Sequence, residues 1–215
     1  MNIAANPVVE ADQTVYLKDY QKPSFLVDSV DLNIQVYADH TIVDATLKVQ
    51  RQTAGDLVLL GRDLELKSIR LNGDLLSEAE YQLDAEQLVL SNVPDQATIQ
   101  TQVVIHPESN TMLEGLYQAG DLFVTQNEPE GFRKITFYPD RPDVLSVFTT
   151  RVEADKKYPV LLANGNLLET GEAGEGRHYA IWQDPTKKPS YLFACVIGHL
   201  AVLKDRYVTS EGRDV

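Results

Sequence analysis

The stretch VDLNIQV at residues 30–36, followed after a short turn by VDATLKV at residues 43–49, decides the fold class. In both segments every second side chain is apolar, and the residues between them are polar. Successive side chains of a β-strand point to opposite faces, so this period of two predicts two half-buried strands. The turn Ala38–Asp39–His40 joins the two segments, which indicates an antiparallel hairpin.

Short strand-like runs at close spacing continue along most of the chain. Further strands are predicted at residues 57–60, 64–71, 81–83, 88–90, 99–105, 122–124, 148–154, 160–162, 167–170, 178–183, 191–197 and 200–208. Turn signals separate them, above all Asn72–Gly73, Asn164–Gly165 and the glycine-rich segment 171–176. The predicted fold class is therefore all-β, with antiparallel, multi-stranded, saddle-like or sandwich-like sheets.

Two segments depart from this pattern. One short helix is predicted near residues 141–147, because Asp140 suits a cap and Pro142 suits a first turn. Residues 1–23 are expected to form an extended arm, which Tyr16, Tyr20 and Phe25 pin to a sheet. No linker, repeat or low-complexity segment divides the sequence, so residues 1–215 are expected to be a single β-rich domain.

Composition and charge exclude several classes of partner. The 215 residues are 43% hydrophobic, and their formal net charge is -13. Such an acidic surface repels phosphate backbones and anionic lipid, so neither nucleic acid nor a membrane is expected as a partner. The single cysteine, Cys195, lies in an apolar run and indicates a buried thiol in a reducing compartment. Without a signal-peptide pattern at the N-terminus, a cytoplasmic location is expected.

The sequence carries no local motif for metal or nucleophilic catalysis. None of the four histidines, His40, His106, His178 and His199, is followed by Glu, and no pair has i, i+4 spacing, so the helical His-Glu-x-x-His zinc motif is absent. The Gly-x-Ser-x-Gly nucleophile elbow is also missing. No metal ligand, cofactor or catalytic residue is therefore expected within this chain.

A dense group of charges follows the apolar run 122–124 and flanks the next apolar run, 135–138. It comprises residues 125–133 (TQNEPEGFR) and 140–143 (DRPD). Residues i and i+2 of an extended segment point the same way, so Gln126 and Glu128 are expected to project together. Taken alone, these residues indicate either a solvated turn with weak surface ion pairs or a recognition site.

Several ordered motifs decide between these interpretations. They are Thr125–Gln126, Glu130–Gly131–Phe132–Arg133, Ile135–Thr136, and the segments 140–144 (DRPDV), 158–166 (YPVLLANGN) and 188–194 (KPSYLFA), together with 16–20 (YLKDY) near the start. With these motifs the chain resembles, over nearly its whole length, the N-terminal domain of bacterial aminopeptidase N. That family consists of zinc aminopeptidases of the gluzincin type.

The resemblance implies that this domain anchors the substrate of an enzyme that removes N-terminal amino acids from peptides. Glu128 would bind the α-amino group of the substrate, and Gln126 would line the pocket for the first side chain. The family's zinc-binding helix, general-base glutamate and Gly-x-Met-Glu-Asn loop do not occur in this sequence. The catalytic domain and its zinc are therefore expected after Val215 in a parent protein, and the present fragment is expected to be inactive alone.

Three structural expectations accompany the resemblance. The Glu128–Pro129 peptide bond is predicted to be cis. An apolar face is expected beside the Gln126–Glu128 loop, where the missing domain would pack. Arg133 and Arg141 are expected to tie the loop to the acidic residues Glu130, Asp140 and Asp143 rather than to touch substrate. Asn127 is given no role.

Two rival functions remain open. A free-standing β-sandwich binding or scaffold module is the alternative from a different class, since fold alone does not give function. A weaker possibility is a glycosidase-type enzyme, which requires Glu128 and a second acid to face each other across a groove.

Overall fold

The structure is a computed structural model that describes residues 16–215, and it confirms the all-β prediction. The strands are β1 (Phe25–Val36), β2 (Thr41–Arg51), β3 (Leu57–Leu60), β4 (Glu65–Leu71), β5 (Asp74–Leu75), β6 (Gln82–Leu83), β7 (Gln87–Leu90), β8 (Gln96–Ile105), β9 (Gly115–Ala119), β10 (Leu122–Gln126), β11 (Leu145–Asp155), β12 (Val160–Ala163), β13 (Asn166–Gly174), β14 (Arg177–Pro189) and β15 (Cys195–Gly198). Single 3-10 turns occur at Leu17–Asp19, Glu78–Glu80, Phe132–Lys134 and Ser190–Leu192.

The strands form three sheets. The largest has eight strands in the order β13-β14-β11-β1-β2-β8-β4-β5. A second sheet has the order β12-β15-β10-β9, and a third has the order β3-β7-β6. The buried apolar residues of all three sheets belong to one hydrophobic cluster.

The predicted hairpin is the centre of the large sheet. Strands β1 and β2 pair antiparallel, with Leu32 opposite Ala45 and Ile34 opposite Val43. These apolar side chains are all buried, and the polar residues between them are more exposed. The period-two pattern therefore identified both the pairing and the face that covers the core.

The other edge of β1 pairs with β11 in parallel, which the sequence pattern did not predict. Ser29 lies opposite Val147, and Gln35 lies opposite Glu153. Because β11 is itself covered by β14 on its far side, it is an inner strand of the sheet. The large sheet is consequently mixed, although its other strand pairs are antiparallel.

The prediction of a short helix near residues 141–147 was wrong. Asp140 has a left-handed backbone with φ of 45°, one turn follows in which the Val144 amide donates to the Arg141 carbonyl over 3.2 Å, and β11 begins at Leu145. From Leu145 the backbone pairs with β14, and from Val147 it also pairs with β1, so sheet pairing overrides the local helix signals.

The turn predictions mostly describe real connections. Asn72 and Gly73 both have positive φ and join β4 to β5 in a hairpin, as predicted. The glycine-rich segment 171–176 is also a hairpin connection between β13 and β14, with the turn confined to Glu175 and Gly176. By contrast, Asn164–Gly165 carries the chain from one sheet to another.

The predicted extended arm lies partly outside the described residues, which start at Tyr16. Its described part contains one 3-10 turn and is tied to residues that follow the candidate loop. The Tyr20 hydroxyl donates to Asp143 over 2.8 Å, and Arg141 donates to the Gln21 carbonyl over 2.8 Å. Among residues 16–215, no helix has the length and apolar character to cross a bilayer.

Candidate functional site

The candidate site is the turn between β10 and the 3-10 turn Phe132–Lys134. Gln126 is the last residue of β10 and pairs with Gly115 of β9. The chain then reverses, and the Gly131 amide donates to the Asn127 carbonyl over 2.9 Å. The Glu128–Pro129 peptide bond within this turn is cis, which confirms the prediction.

Side chains leave the turn in alternating directions. Gln126 and Glu128 are both exposed, whereas Asn127 between them is only 3% exposed. The expectation that Gln126 and Glu128 project together is therefore met. The Gln126 side chain also bends over the turn, because its Nε2 donates to the backbone carbonyl of Glu128 over 3.3 Å.

Glu128 differs from the other acidic side chains of this region in having no cationic partner. Arg133 pairs with Glu130 at 3.2 Å and with Asp140 at 2.8 Å, and Arg141 holds Asp143 through two hydrogen bonds. These are the ties predicted from the sequence. Within residues 16–215, no ion pair or hydrogen bond engages the Glu128 carboxylate.

Asp143 is stabilised in its charged form. The hydrogen bonds from Arg141 lower the pKa of the Asp143 carboxyl, and the Tyr20 hydroxyl adds to this effect. Asp140 is the most buried acid of the region, with a side chain that is 1% exposed. Burial of a charge is favourable only when it is paired, and Arg133 supplies that pair.

The sequence did not predict the residues that hold the buried side of the turn in place. The Asn127 side-chain amide donates to the Phe193 carbonyl over 2.7 Å. The Ser190 hydroxyl donates to the Asp140 carboxylate over 2.7 Å. More than 40 residues separate the members of each pair, so no spacing in the sequence indicates these contacts.

Gly131 is required by space rather than by backbone conformation. A Cβ atom there would lie 2.3 Å from the Gln126 carbonyl oxygen and 2.7 Å from the Asn127 Cα. Both are backbone atoms that cannot rotate away. The close approach of these backbone segments keeps the turn compact.

An aromatic cluster packs against the buried side of the turn. The ring of Phe132, directly after the turn, makes T-shaped contacts with the rings of Tyr138, Phe148 and Phe193 at centroid distances of 5.1, 5.9 and 5.3 Å. The core therefore supports the turn from one direction, and the opposite direction is solvent.

Gln126 and Glu128 lie on the exposed surface of the turn. Four surface cavities of about 290 to 430 Å³ lie elsewhere on the described residues, and neither Gln126 nor Glu128 lines any of them. Gly115 and Phe193 contact residues of the turn, and exposed apolar side chains lie next to both of them in the sequence. These side chains are Met112 and Leu113 before Gly115, and Leu192 before Phe193. The apolar face beside the loop stays a prediction.

The described residues do not fit a zinc site. Within residues 16–215 no three His, Cys, Asp or Glu side chains converge as metal ligands would. His40 contacts the Asp39 carboxylate, and His106 contacts the Asp39 backbone carbonyl as well as Glu65 and Glu108. The His178 ring contacts the Tyr158 carbonyl.

Comparisons with known proteins identify the family of this domain. Residues 22–192 match the model of the peptidase M1 N-terminal domain. Aminopeptidase N of Caulobacter vibrioides is 47% identical over 209 residues, which are 96% of this chain and 24% of that protein. Aminopeptidase N of Escherichia coli K12 is 45% identical over 211 residues, which are 97% of this chain and 24% of that protein.

Solved structures show the same fold. Aminopeptidase A of Legionella pneumophila, crystallised in complex with aspartic acid, superposes with a TM-score of 0.88 at 37% identity, over 93% of this chain and 24% of that one. An M1 zinc metallopeptidase of Deinococcus radiodurans superposes with a TM-score of 0.74 over 88% of this chain and 46% of that one, and its 19% identity supports the fold alone.

The present chain spans about a quarter of the length of these two curated relatives. Their similarity extends over almost all of it, and the family model covers most of the described residues. The chain belongs to the peptidase M1 family and corresponds to its N-terminal domain.

Proposed function

We propose that this chain is the substrate-anchoring N-terminal domain of a zinc-dependent aminopeptidase, an enzyme that removes N-terminal amino acids from peptides. In this proposal Glu128 binds the α-amino group of the substrate, and Gln126 lines the pocket for its first side chain. The observation that carries the proposal is the Glu128 carboxylate, which is exposed and unpaired among residues 16–215 while Glu130, Asp140 and Asp143 are each held by an arginine.

An unpaired carboxylate at a rigid turn suits the recognition of an ammonium group. The charged amine donates hydrogen bonds that are stronger than those of a neutral donor. An internal peptide bond supplies an amide in place of that amine and leaves the carboxylate without its partner, which costs several kcal/mol in a desolvated site. Glu128 therefore selects chain ends and fixes the scissile bond one residue away.

Gln126 contributes an uncharged side chain to the lining of the pocket for the first side chain of the substrate. Its amide is drawn towards the Glu128 carbonyl, so its exposed side chain lies beside the amine anchor rather than away from it. A neutral polar side chain in this place adds no competing charge to the amine site. It contacts the first side chain of a peptide whose amine is bound at Glu128.

The bond-breaking step belongs to another part of the parent protein. Because the described residues lack converging metal ligands, zinc would be bound outside residues 16–215, and we propose that this chain alone has no peptidase activity. We also propose that residues 1–215 belong to one N-terminal unit of a cytoplasmic enzyme whose partners are peptide substrates and the catalytic domain of the same chain, with no nucleic acid or membrane partner.

The central experiment is the Glu128→Gln substitution in the full-length protein, with Glu130→Gln as its matched control. Both glutamates are exposed and lie two residues apart, but only Glu130 has an arginine partner. We expect Glu128→Gln to lower kcat/KM on an aminoacyl chromogenic substrate about 100-fold or more, and Glu130→Gln to change it far less. Equal effects of the two substitutions would remove Glu128 from the site.

A second assay addresses the fragment. The 215-residue chain, supplied with zinc and the same substrate, is expected to give no turnover above background. Measurable turnover that a chelator abolishes would contradict the proposal and would place a hydrolytic centre within this chain.

A further inference from the structure

The turn that presents Glu128 is tied at both of its ends to one short segment, Ser190–Phe193. One tie comes from Asn127 at the start of the turn and the other from Asp140, which holds the residues just after it. The two ties are independent, since they use different donors and different acceptors. Both were absent from the interpretation of the sequence.

The first tie fixes the direction in which the turn faces. Asn127 lies between Gln126 and Glu128, and its side chain points into the protein, where its Nδ2 donates to the Phe193 carbonyl over 2.7 Å. Rotation of the strand end by one residue would carry the Asn127 amide into solvent and would bury Glu128. Its Oδ1 has no hydrogen-bond partner among the described residues, so the Phe193 contact is the one that holds this side chain.

The second tie fixes the far end. One oxygen of the Asp140 carboxylate accepts from the Arg133 backbone amide at 3.2 Å and from the Arg133 Nε at 2.8 Å. The other oxygen accepts from the Ser190 hydroxyl at 2.7 Å. Arg133 in turn reaches Glu130 within the turn, so the contacts run continuously from Ser190 to the residue next to the cis proline.

We propose that Asn127 and Asp140 are positioning residues for amine recognition, which act through Glu128 by holding its turn against Ser190–Phe193. This inference rests on the proposed function of Glu128. A carboxylate on a loop recognises a charged group well only if supporting contacts hold it close to the productive geometry. A displacement of about 1 Å in such a site can cost about 100-fold in rate.

The test is a double-mutant cycle in the full-length enzyme. Asn127→Leu keeps the approximate size of the side chain and removes the bond to Phe193. We expect it to lower kcat/KM about 10-fold, mainly through KM, in the parent enzyme. In a Glu128→Gln background the same substitution should cause almost no further loss, because the group that it positions is already gone.

A matched control separates positioning from general damage to the fold. The Thr125 hydroxyl, which lies in β10 two residues before Asn127, accepts from the Cys195 backbone amide over 2.9 Å. Thr125→Val thus removes another side-chain bond to a nearby segment without touching the turn. We expect Thr125→Val to lower the melting temperature as Asn127→Leu does, but to leave KM nearly unchanged.

A milder variant covers the case in which Asn127→Leu does not fold. Ser190→Ala removes only the hydroxyl that bonds to Asp140 and creates no steric conflict. We expect a loss in kcat/KM of about threefold with the same dependence on Glu128.

Three outcomes are distinguishable. Losses that shrink to nothing in the Glu128→Gln background support positioning. Losses of equal size in both backgrounds, or no greater than that of Thr125→Val, overturn the positioning role and leave the proposed function intact. An unaltered Glu128→Gln enzyme instead overturns the proposed function itself.

Discussion

At the scale of single residues, Cys195 shows how completely some side chains are withdrawn from solvent. It is buried in β15, and burial raises the pKa of its thiol to about 12. Only the thiolate reacts rapidly with disulfide reagents. We therefore expect no reaction of the native chain with Ellman's reagent near neutral pH and one equivalent after unfolding in urea. Rapid labelling of the native chain would show that β15 opens on its own.

His106 provides a pH dependence of stability. A hydrogen bond with the Asp39 carbonyl, aided by Glu108 and Glu65, raises the pKa of His106 above its usual 6.5. A raised pKa means that the protonated ring favours the folded state, so the contribution is complete below the unfolded pKa and disappears as the pH rises through the folded value. Between about pH 6 and pH 8, the free energy of unfolding of the unsubstituted chain should decline more than that of the His106→Gln variant. Urea titrations at both pH values measure this difference, and parallel declines would refute it.

The residues of the candidate site divide into those visible in the sequence and those that only the fold reveals. The outward direction of Gln126 and Glu128 followed from alternation along a strand, and the arginine ties followed from the local excess of charge. The positions of Asn127 and Asp140 against Phe193 and Ser190 depend on contacts across the fold, which carry no local signal. A buried asparagine and an exposed one look the same in a single sequence.

At the scale of elements, the turn at Gly131 has a testable requirement for space. Gly131→Ala would force a Cβ against the Gln126 carbonyl, whereas Gly73→Ala places its Cβ in open space and suffers only from a φ of 94°. We expect a loss of about 1–3 kcal/mol for Gly131→Ala and about 1 kcal/mol for Gly73→Ala, measured by urea unfolding.

The two variants should also differ in where they act. Amide resonances of residues 126–128 should shift strongly in Gly131→Ala and hardly at all in Gly73→Ala. Undisturbed resonances in Gly131→Ala would mean that the turn has room that the structure does not show.

Strands were predicted well wherever alternation and a turn signal occurred together. The β1–β2 and β4–β5 hairpins are examples, because each pairs neighbours in sequence. The helix proposed for residues 141–147 failed for the converse reason. Asp140 and Pro142 gave a local signal, but the segment leads into an inner strand whose partners lie far away in the chain, and no local pattern reports such partners.

At the scale of the whole molecule, residues 200–208 do not form the strand predicted for them, and most side chains of residues 199–215 are exposed. Leu203 is 95% exposed, and Val202 and Tyr207 are also largely exposed. A small hairpin pairs Tyr207 with Val215 through two backbone hydrogen bonds, and a two-stranded hairpin without a packed face is marginally stable in water. In hydrogen exchange of the 215-residue chain, amides of residues 200–215 should therefore exchange far faster than those of β1 and β2. Comparable protection of the two regions would contradict this expectation.

The parallel pairing of β1 with β11 has a consequence for synthesis on the ribosome. Ser29 of β1 can pair only after Val147 of β11 has been synthesised, roughly 120 residues later. At usual elongation rates this interval lasts about 6–24 s. Throughout that interval the nascent chain exposes the unpaired edge of a long apolar strand, which invites pairing with other chains. A chaperone that shields emerging polypeptides is expected to engage β1 until β11 has left the exit tunnel.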